Sequence, residues 1–338
     1  MCRNWGRRRA ITFPGFFLFL ADIHENHNLL TMNTFRQNTS RHRHWLQSFL
    51  LLTFLLSFSK VIFGQPVREH YEKGIQKLEL SLWSDALDEF NIVIKLSPAL
   101  PEAFSLRAKA KFELQDYTGS MEDCTKAIKL KPGIYEPYLC RGNCKDVQGD
   151  YAGAILDYNK AIQLDSSRVD AFGSRGVVYY HLNDMGKAIR DYNKALAIDP
   201  KNVPLYVNRG LAKTEAEDYN GAIADFDAVI KINPSLGEAY RDRGAVKYLL
   251  KNYRGALQDA NLSIALDPQN SGLYKNRALA EMELTDYTGV IRDCGKAIEL
   301  HTDDEDVYVL RAEAYEKVGE TVKAKADRET AAVIKKKK

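Results

Sequence analysis

From Val67 onward, small and aromatic residues recur three or four places apart in two stretches of each segment, parted by a polar break such as Gly149-Asp150 or Asn183-Asp184. That is the period of one helix face, and the break between stretches predicts a helix hairpin. The hairpin recurs at a fixed interval: the tripeptides ending in Pro98, Pro132, Pro200, Pro234 and Pro268 are spaced by 34, 68, 34 and 34 residues. Eight units of 34 residues follow one another without insertion, over 67–100, 101–134, 135–168, 169–202, 203–236, 237–270, 271–304 and 305–338. Units repeating at such a period bury their apolar faces by stacking on their neighbours.

Residue size alternates at fixed places in the unit. Position 8 is Gly74, Ala108, Gly142, Gly176, Gly210, Gly244, Ala278 and Ala312, small enough for two helix axes to approach closely. Position 20 is almost as small, while position 4 carries Phe104, Tyr138, Phe172, Tyr206, Tyr240, Tyr274 and Tyr308. Trp83, Tyr117, Tyr151, Tyr219, Tyr253 and Tyr287 stand at position 17. In length, small and aromatic columns and closing proline the unit resembles the tetratricopeptide repeat family, over about four-fifths of the chain. The resemblance implies an all-α, right-handed superhelical solenoid of antiparallel helix pairs over residues 65–338. Departures are modest: His70 replaces the first aromatic, and Ser166, Thr302 and Lys336 replace the closing proline of the third, seventh and eighth units. Arg328 and Thr321 take usually apolar places in the last unit, which suits a polar cap, and Lys335 to Lys338 put cations at the negative end of its dipole.

Charge follows the same period. Position 7 is Lys73, Arg107, Arg141, Arg175, Arg209, Arg243, Arg277 and Arg311, and position 23 is Glu89, Asp123, Asp157, Asp191, Asp225, Asp259, Asp293 and Asp327. Columns of opposite sign predict a ladder in which each guanidinium pairs with a carboxylate on a facing helix, within a unit or across a junction. Arginine in seven of the eight places suits a bidentate contact. As exposed pairs they are expected to fix helix register more than stability, at about 0–1 kcal/mol each.

Composition narrows the function classes. With 28% charged and 45% hydrophobic residues the chain is ordinary globular material. Its net charge of +3 comes from the first 66 residues, which hold eight Lys/Arg against two Asp/Glu; the remainder holds 40 against 43. Nucleic-acid binding therefore lacks its electrostatic basis. Four of the seven His precede residue 67, and no metalloprotease, phosphate-loop, dinucleotide or nucleophile-elbow motif occurs, so neither catalysis, a cofactor nor a bound metal is expected. Cys140 and Cys144 lie four apart on one helix face and could serve a thiol or metal response, but two ligands do not make a zinc site and a semi-buried core role is simpler. Cys124 and Cys294 occupy the column of Phe90, Tyr158, Tyr192 and Phe226 and read as core.

Residues 1–64 read as a leader. An uncharged apolar run at 45–58 follows Arg41, His42, Arg43 and His44, the layout of a secretory signal, with cleavage expected after Gly64. Retained, residues 46–63 would tether the chain to a membrane, and Met32 is an alternative start. Either way the chain is expected to be exported or anchored.

In tetratricopeptide proteins the concave groove is lined chiefly by unit positions 2, 5, 6, 9, 12 and 13. Carried onto this chain, those positions include Glu102, Glu136, Asn143, Asp146, Asp170, Tyr180, His181, Asn208, Glu215, Glu238, Asp242, Tyr248, Asn276 and Glu283. Across all units they hold 14 Asp/Glu against five Lys/Arg. The resemblance thus implies a scaffold or assembly adaptor whose acidic groove binds extended basic or neutral peptide segments, with Tyr180 and Tyr248 as anchors. A merely solvated face and a self-associating structural protein of the cell envelope are the competing readings. A clamp for acidic C-terminal tails is disfavoured, because position 2 is mostly acidic.

Overall fold

Each polar break is a helix ending fused to a helix start. In the computed structural model, which describes residues 64–301 and 303–337, Gln115 N–H donates to Phe112 O at 3.0 Å and Asp116 N–H to Lys111 O at 2.9 Å. These two bonds close a helix over one residue in the left-handed region, and Gln115 has φ 64°. Ser81, Gly149, Asn183, Glu217, Lys251, Thr285 and Gly319 repeat that conformation, mostly without glycine. Asp116 at once caps the next helix, its carboxylate accepting from Gly119 N–H at 2.9 Å. Asp150, Asp184, Asp218, Asn252 and Asp286 do the same. A chain reversed within three residues must run back antiparallel to itself.

The described residues form sixteen helices and no strand. They are α1 (Gln65–Glu79), α2 (Trp83–Leu96), α3 (Pro101–Glu113), α4 (Tyr117–Leu130), α5 (Tyr135–Val147), α6 (Tyr151–Leu164), α7 (Val169–His181) and α8 (Met185–Ile198). Then come α9 (Val203–Glu215), α10 (Tyr219–Ile232), α11 (Gly237–Leu249), α12 (Tyr253–Leu266), α13 (Ser271–Glu283), α14 (Tyr287–Glu299), α15 (Glu305–Lys317) and α16 (Thr321–Lys337). Contacts divide the chain within α9, at Ala212/Lys213, into two units. In the first, α1/α2, α3/α4, α5/α6 and α7/α8 pack as hairpins, each second helix rests on the next first helix, and α1, α3, α5 and α7 touch in turn. In the second, α11/α12, α13/α14 and α15/α16 are the hairpins, α10 packs on α11, and α11, α13 and α15 touch in turn.

Knob and hollow carry this packing. A Cβ added at Gly74 would lie 2.7 Å from the Phe90 ring, and Gly142 and Gly176 meet the rings of Tyr158 and Tyr192 equally closely. The ring at position 24 therefore seats on the bare backbone at position 8, and Phe90, Tyr158, Tyr192 and Phe226 are fully buried. Each such ring removes an area worth roughly 2–3 kcal/mol from water. No described helix is long and apolar enough to cross a membrane. The leader, its apolar run, Met32 and Thr302 lie outside the described residues.

Candidate functional site

Two sets of polar side chains are organised by the hairpins: one between the helices, the other on the first helices. The first is built on the position-7 arginines. Arg141 in α5 donates through Nε to Asp157 Oδ2 at 2.9 Å and through Nη2 to Asp157 Oδ1 at 2.6 Å. Its Nη1 turns back to Thr125 Oγ1 in the preceding hairpin at 3.2 Å. Both geometries left open by the sequence occur together: a fork onto the unit's own carboxylate and a single bond across the junction. Arg107 forks onto Asp123, Arg175 onto Asp191, Arg243 onto Asp259, Arg277 onto Asp293 and Arg311 onto Asp327. Across junctions Arg107 reaches Asn91, Arg175 reaches Asn159, Arg209 reaches Asn193, Arg243 reaches Asp227 and Arg277 reaches Asn261. Each guanidinium also lies over the aromatic three residues before it, as Arg209 does over Tyr206 at 5.4 Å.

Two expectations are corrected here, and a further column joins the ladder. The first unit departs from the ladder: Lys73 pairs with Glu69 at 2.7 Å, and Glu89 is taken by His70 at 2.6 Å. The lysine ammonium is a single nitrogen and lacks the coplanar pair of donor nitrogens that a fork requires. Secondly, these are not exposed pairs, because the carboxylates of Asp123, Asp157, Asp191, Asp225, Asp259, Asp293 and Asp327 are all buried. Their removal is governed by desolvation, not by the small energy of a surface bridge. Finally, a lysine column was not singled out from the sequence: Lys111, Lys145, Lys213 and Lys247 at position 11 donate to Asp123, Asp157, Asp225 and Asp259 at 2.8–2.9 Å. Its 34-residue recurrence was the available signal.

The second set lies on the first helices. Within the first unit, Glu136 accepts from Arg168 Nη1 at 2.6 Å and Asp170 from Arg168 Nη2 at 3.1 Å. Arg168, outside the groove positions, also stacks 4.0 Å over the Tyr135 ring, and Tyr135 Oη accepts from Ala171 N–H at 3.1 Å. Glu102 is bridged by Lys131 at 3.2 Å. Asn143 accepts from Tyr158 Oη at 2.8 Å. Half-buried Asp146 has its carboxyl pushed up to about 6 by burial. His181 stacks on Tyr151 at 5.8 Å and meets Tyr180 edge-on at 6.2 Å.

Within the second unit, Tyr248 Oη donates to Glu283 Oε1 at 3.3 Å and its ring meets Tyr253 edge-on at 5.3 Å. Glu215 and Glu283 are exposed, and Glu238 and Asn276 half-buried. Two groove assignments fail. Asp242 is 2% exposed and bound by Arg241 Nε at 2.9 Å, and Asn208, in the first unit, is 5% exposed. The acidity of the face is consequently lower than a count of residues suggests, since Lys131, Arg168 and Arg241 offset several carboxylates.

Cys124, Cys144 and Cys294 are buried and Cys140 is half-buried. Cys144 donates to Ser120 Oγ at 3.3 Å, Cys140 approaches the same oxygen at 3.4 Å, and Ser120 Oγ donates to Ala108 O at 2.8 Å. A hydrogen bond with Cys124 and burial hold the Cys140 thiol well above its usual range, and a bond with Cys140 and burial do the same for Cys144. Raised in this way, the thiols favour their protonated form over the thiolate that nucleophilic attack needs. Among the described residues no group of three or more His, Cys, Asp or Glu is placed to hold a metal ion.

Family profiles described as "Tetratricopeptide repeat" match residues 169–202 and 207–271, and one described as "TPR repeat" matches 148–183. A tetratricopeptide repeat protein from Parabacteroides merdae is similar over 74% of this chain and 99% of its own, with 17% identity and a TM-score of 0.52. The APC/C hetero-tetramer Cut9-Hcn1 is similar over 80% of this chain and 53% of its own, with 14% identity and a TM-score of 0.54. YrrB, described as a TPR protein with an unusual peptide-binding site, shares 18% identity over 58% of this chain and 97% of its own, with a TM-score of 0.49. No curated protein matches the sequence.

Proposed function

The chain is a tetratricopeptide repeat protein, and from that premise we propose that it is an exported protein-interaction scaffold whose first-helix face binds extended, basic or neutral peptide segments. One observation carries the reading: within each unit the first helices touch in turn and carry carboxylates and a tyrosine at groove positions, with Tyr248 Oη on the exposed Glu283 carboxylate. The carboxylates are Glu102, Glu136, Asp146 and Asp170 with Tyr180 in the first unit, and Glu215, Glu238 and Glu283 with Tyr248 in the second. Carboxylates steer and orient a cationic segment, and half-buried rings supply the apolar contact that holds it.

Fluorescence anisotropy with capped basic, neutral and acidic peptides of one length tests this. Basic peptides are expected to bind tightest, with affinity falling as salt rises. The variant Glu136→Lys, Asp170→Lys, Glu215→Lys, Glu238→Lys, its fold checked by circular dichroism, is expected to lose roughly tenfold or more. Equal affinity for acidic peptides, or an unaffected folded variant, would remove the assignment.

A further inference from the structure

In the repeats the side chain at position 24 decides whether the hollow at position 8 is filled. Gly74 is covered by Phe90, Gly142 by Tyr158 and Gly176 by Tyr192. Where position 24 shrinks to cysteine, at Cys124 and Cys294, position 8 grows to Ala108 and Ala278. The sixth repeat breaks this compensation: it pairs Gly244 with Ala260, small against small. A Cβ at Gly244 would meet only Asp259 Cβ at 3.2 Å and the backbone of Ala256 and Ala260, and no ring.

The missing knob leaves a recess between α11, α12 and α13, about 390 Å³ counting its open mouth. Its floor is buried and mainly apolar, formed by Gly244, Ala256, Ala260 and Leu273 with the Ser263 hydroxyl, while Arg241, Tyr248 and Asn276 at its edge are half-exposed. Tyr248 leads from the recess to the exposed carboxylate of Glu283. Close-packed interiors do not keep such a space without cost, because its lining forgoes contacts that sister repeats make with a buried ring.

We propose that this recess is a socket for one phenyl side chain, delivered by a partner polypeptide in which a phenylalanine is flanked by Lys or Arg. The sister repeats show the shape it takes, since Phe90 fills the corresponding space completely. The flanking charge follows from Glu283, which Tyr248 joins to the socket; Arg241, which also lines the wall, is paired with the Asp242 carboxylate. A phenyl suits better than a phenol: Tyr158 gives its hydroxyl to Asn143, and the residue at that unit position in the sixth repeat is Ala245. The polypeptide part of this assignment rests on the first-helix face binding extended segments; the socket itself does not.

The test uses the full chain with alanine methyls labelled with ¹³C. Three probes are titrated: N-acetyl-phenylalanine amide, a capped Lys-Gly-Phe-Gly-Lys peptide and its Phe→Ala counterpart. Ring-current shifts are expected at the Ala245, Ala256 and Ala260 methyls, and the phenylalanine peptide should bind about ten- to a hundredfold tighter than the alanine one. Ala260→Phe, which builds the sister repeats' own knob, should keep the fold, raise Tm and erase the preference. If that variant does not fold, the methyl titration of the native chain decides alone. Absence of shifts at these methyls at millimolar probe, shifts confined to other alanines, or a preference that survives in folded Ala260→Phe would each overturn the socket. Shifts at Ala260 that grow with protein concentration before any probe is added would make a second copy the occupant and overturn the partner assignment. Shifts with N-acetyl-phenylalanine amide but with neither peptide would keep the socket and overturn peptide binding on this face.

Discussion

Arg292 Nη2 donates to Glu281 Oε1 at 2.6 Å while its Nε donates to Asp293 Oδ1 at 2.8 Å. One arginine thus holds together two carboxylates that repel each other. In five units the place of Glu281 is a lysine, and Lys111, Lys145, Lys213 and Lys247 bind the carboxylate that Glu281 here opposes. Burial first, and then Asp293, push the Glu281 carboxyl up to about 7, with Asp286 adding and Arg292 and Arg277 opposing. Its Oε2 has no hydrogen-bond partner.

Folded Glu281 therefore keeps its proton to about pH 7, whereas an unfolded glutamate loses it near its ordinary 4.5. The folded state binds the extra proton in that window, so this group's contribution to stability falls as pH rises from 4.5 to 7 and is level above. The loss is on the order of 1–3 kcal/mol. Urea denaturation between those limits should show this slope, and Glu281→Lys or Glu281→Gln should flatten it. An unchanged slope in both variants would assign the effect to other groups.

Removing one member of a buried fork leaves an uncompensated charge. Arg141→Leu should cost about 3–5 kcal/mol, because the Asp157 carboxylate stays buried with only Lys145 beside it. The double variant Arg141→Leu, Asp157→Leu should recover much of that loss. Equal denaturant midpoints for single and double variants would contradict a desolvation origin.

Gly142→Ala should destabilise by about 1–3 kcal/mol, since its Cβ would lie 2.7 Å from the Tyr158 ring and the ring has no room to withdraw. Gln115→Gly should act in the opposite direction by about 1 kcal/mol, relieving a left-handed residue of its Cβ. Thermal denaturation of the two variants checks both signs.

Asp146 titrates near 6 because it is half-buried on the first-helix face. Affinity for a basic peptide should fall as pH drops through 6, and Asp146→Asn should hold the low-pH affinity at all pH values. A profile identical in the variant would place the titrating group elsewhere.

The fold was legible because a 34-residue period writes each packing decision eight times. The glycine and alanine column, the aromatic column and the arginine and aspartate columns each declare a partner by recurrence. The first-helix face was less legible. Arg168 lies at the last position of its unit, yet it reaches Glu136 and Asp170 because the inter-hairpin turn folds back over them. Asp242 reads as a groove carboxylate by position but is buried against α11's own Arg241.

Sequence alone determined the helix hairpin, its length, its turn chemistry and which columns carry opposite charge, because these depend on spacing along the chain. Tertiary structure decided what each column touches. It buried the ladder carboxylates, gave Arg141 two partners in two hairpins, set Glu281 against Asp293 and left Gly244 without a ring. Burial and charge neutralisation depend on the distance between residues far apart in the chain, and no periodicity specifies how much water remains between them.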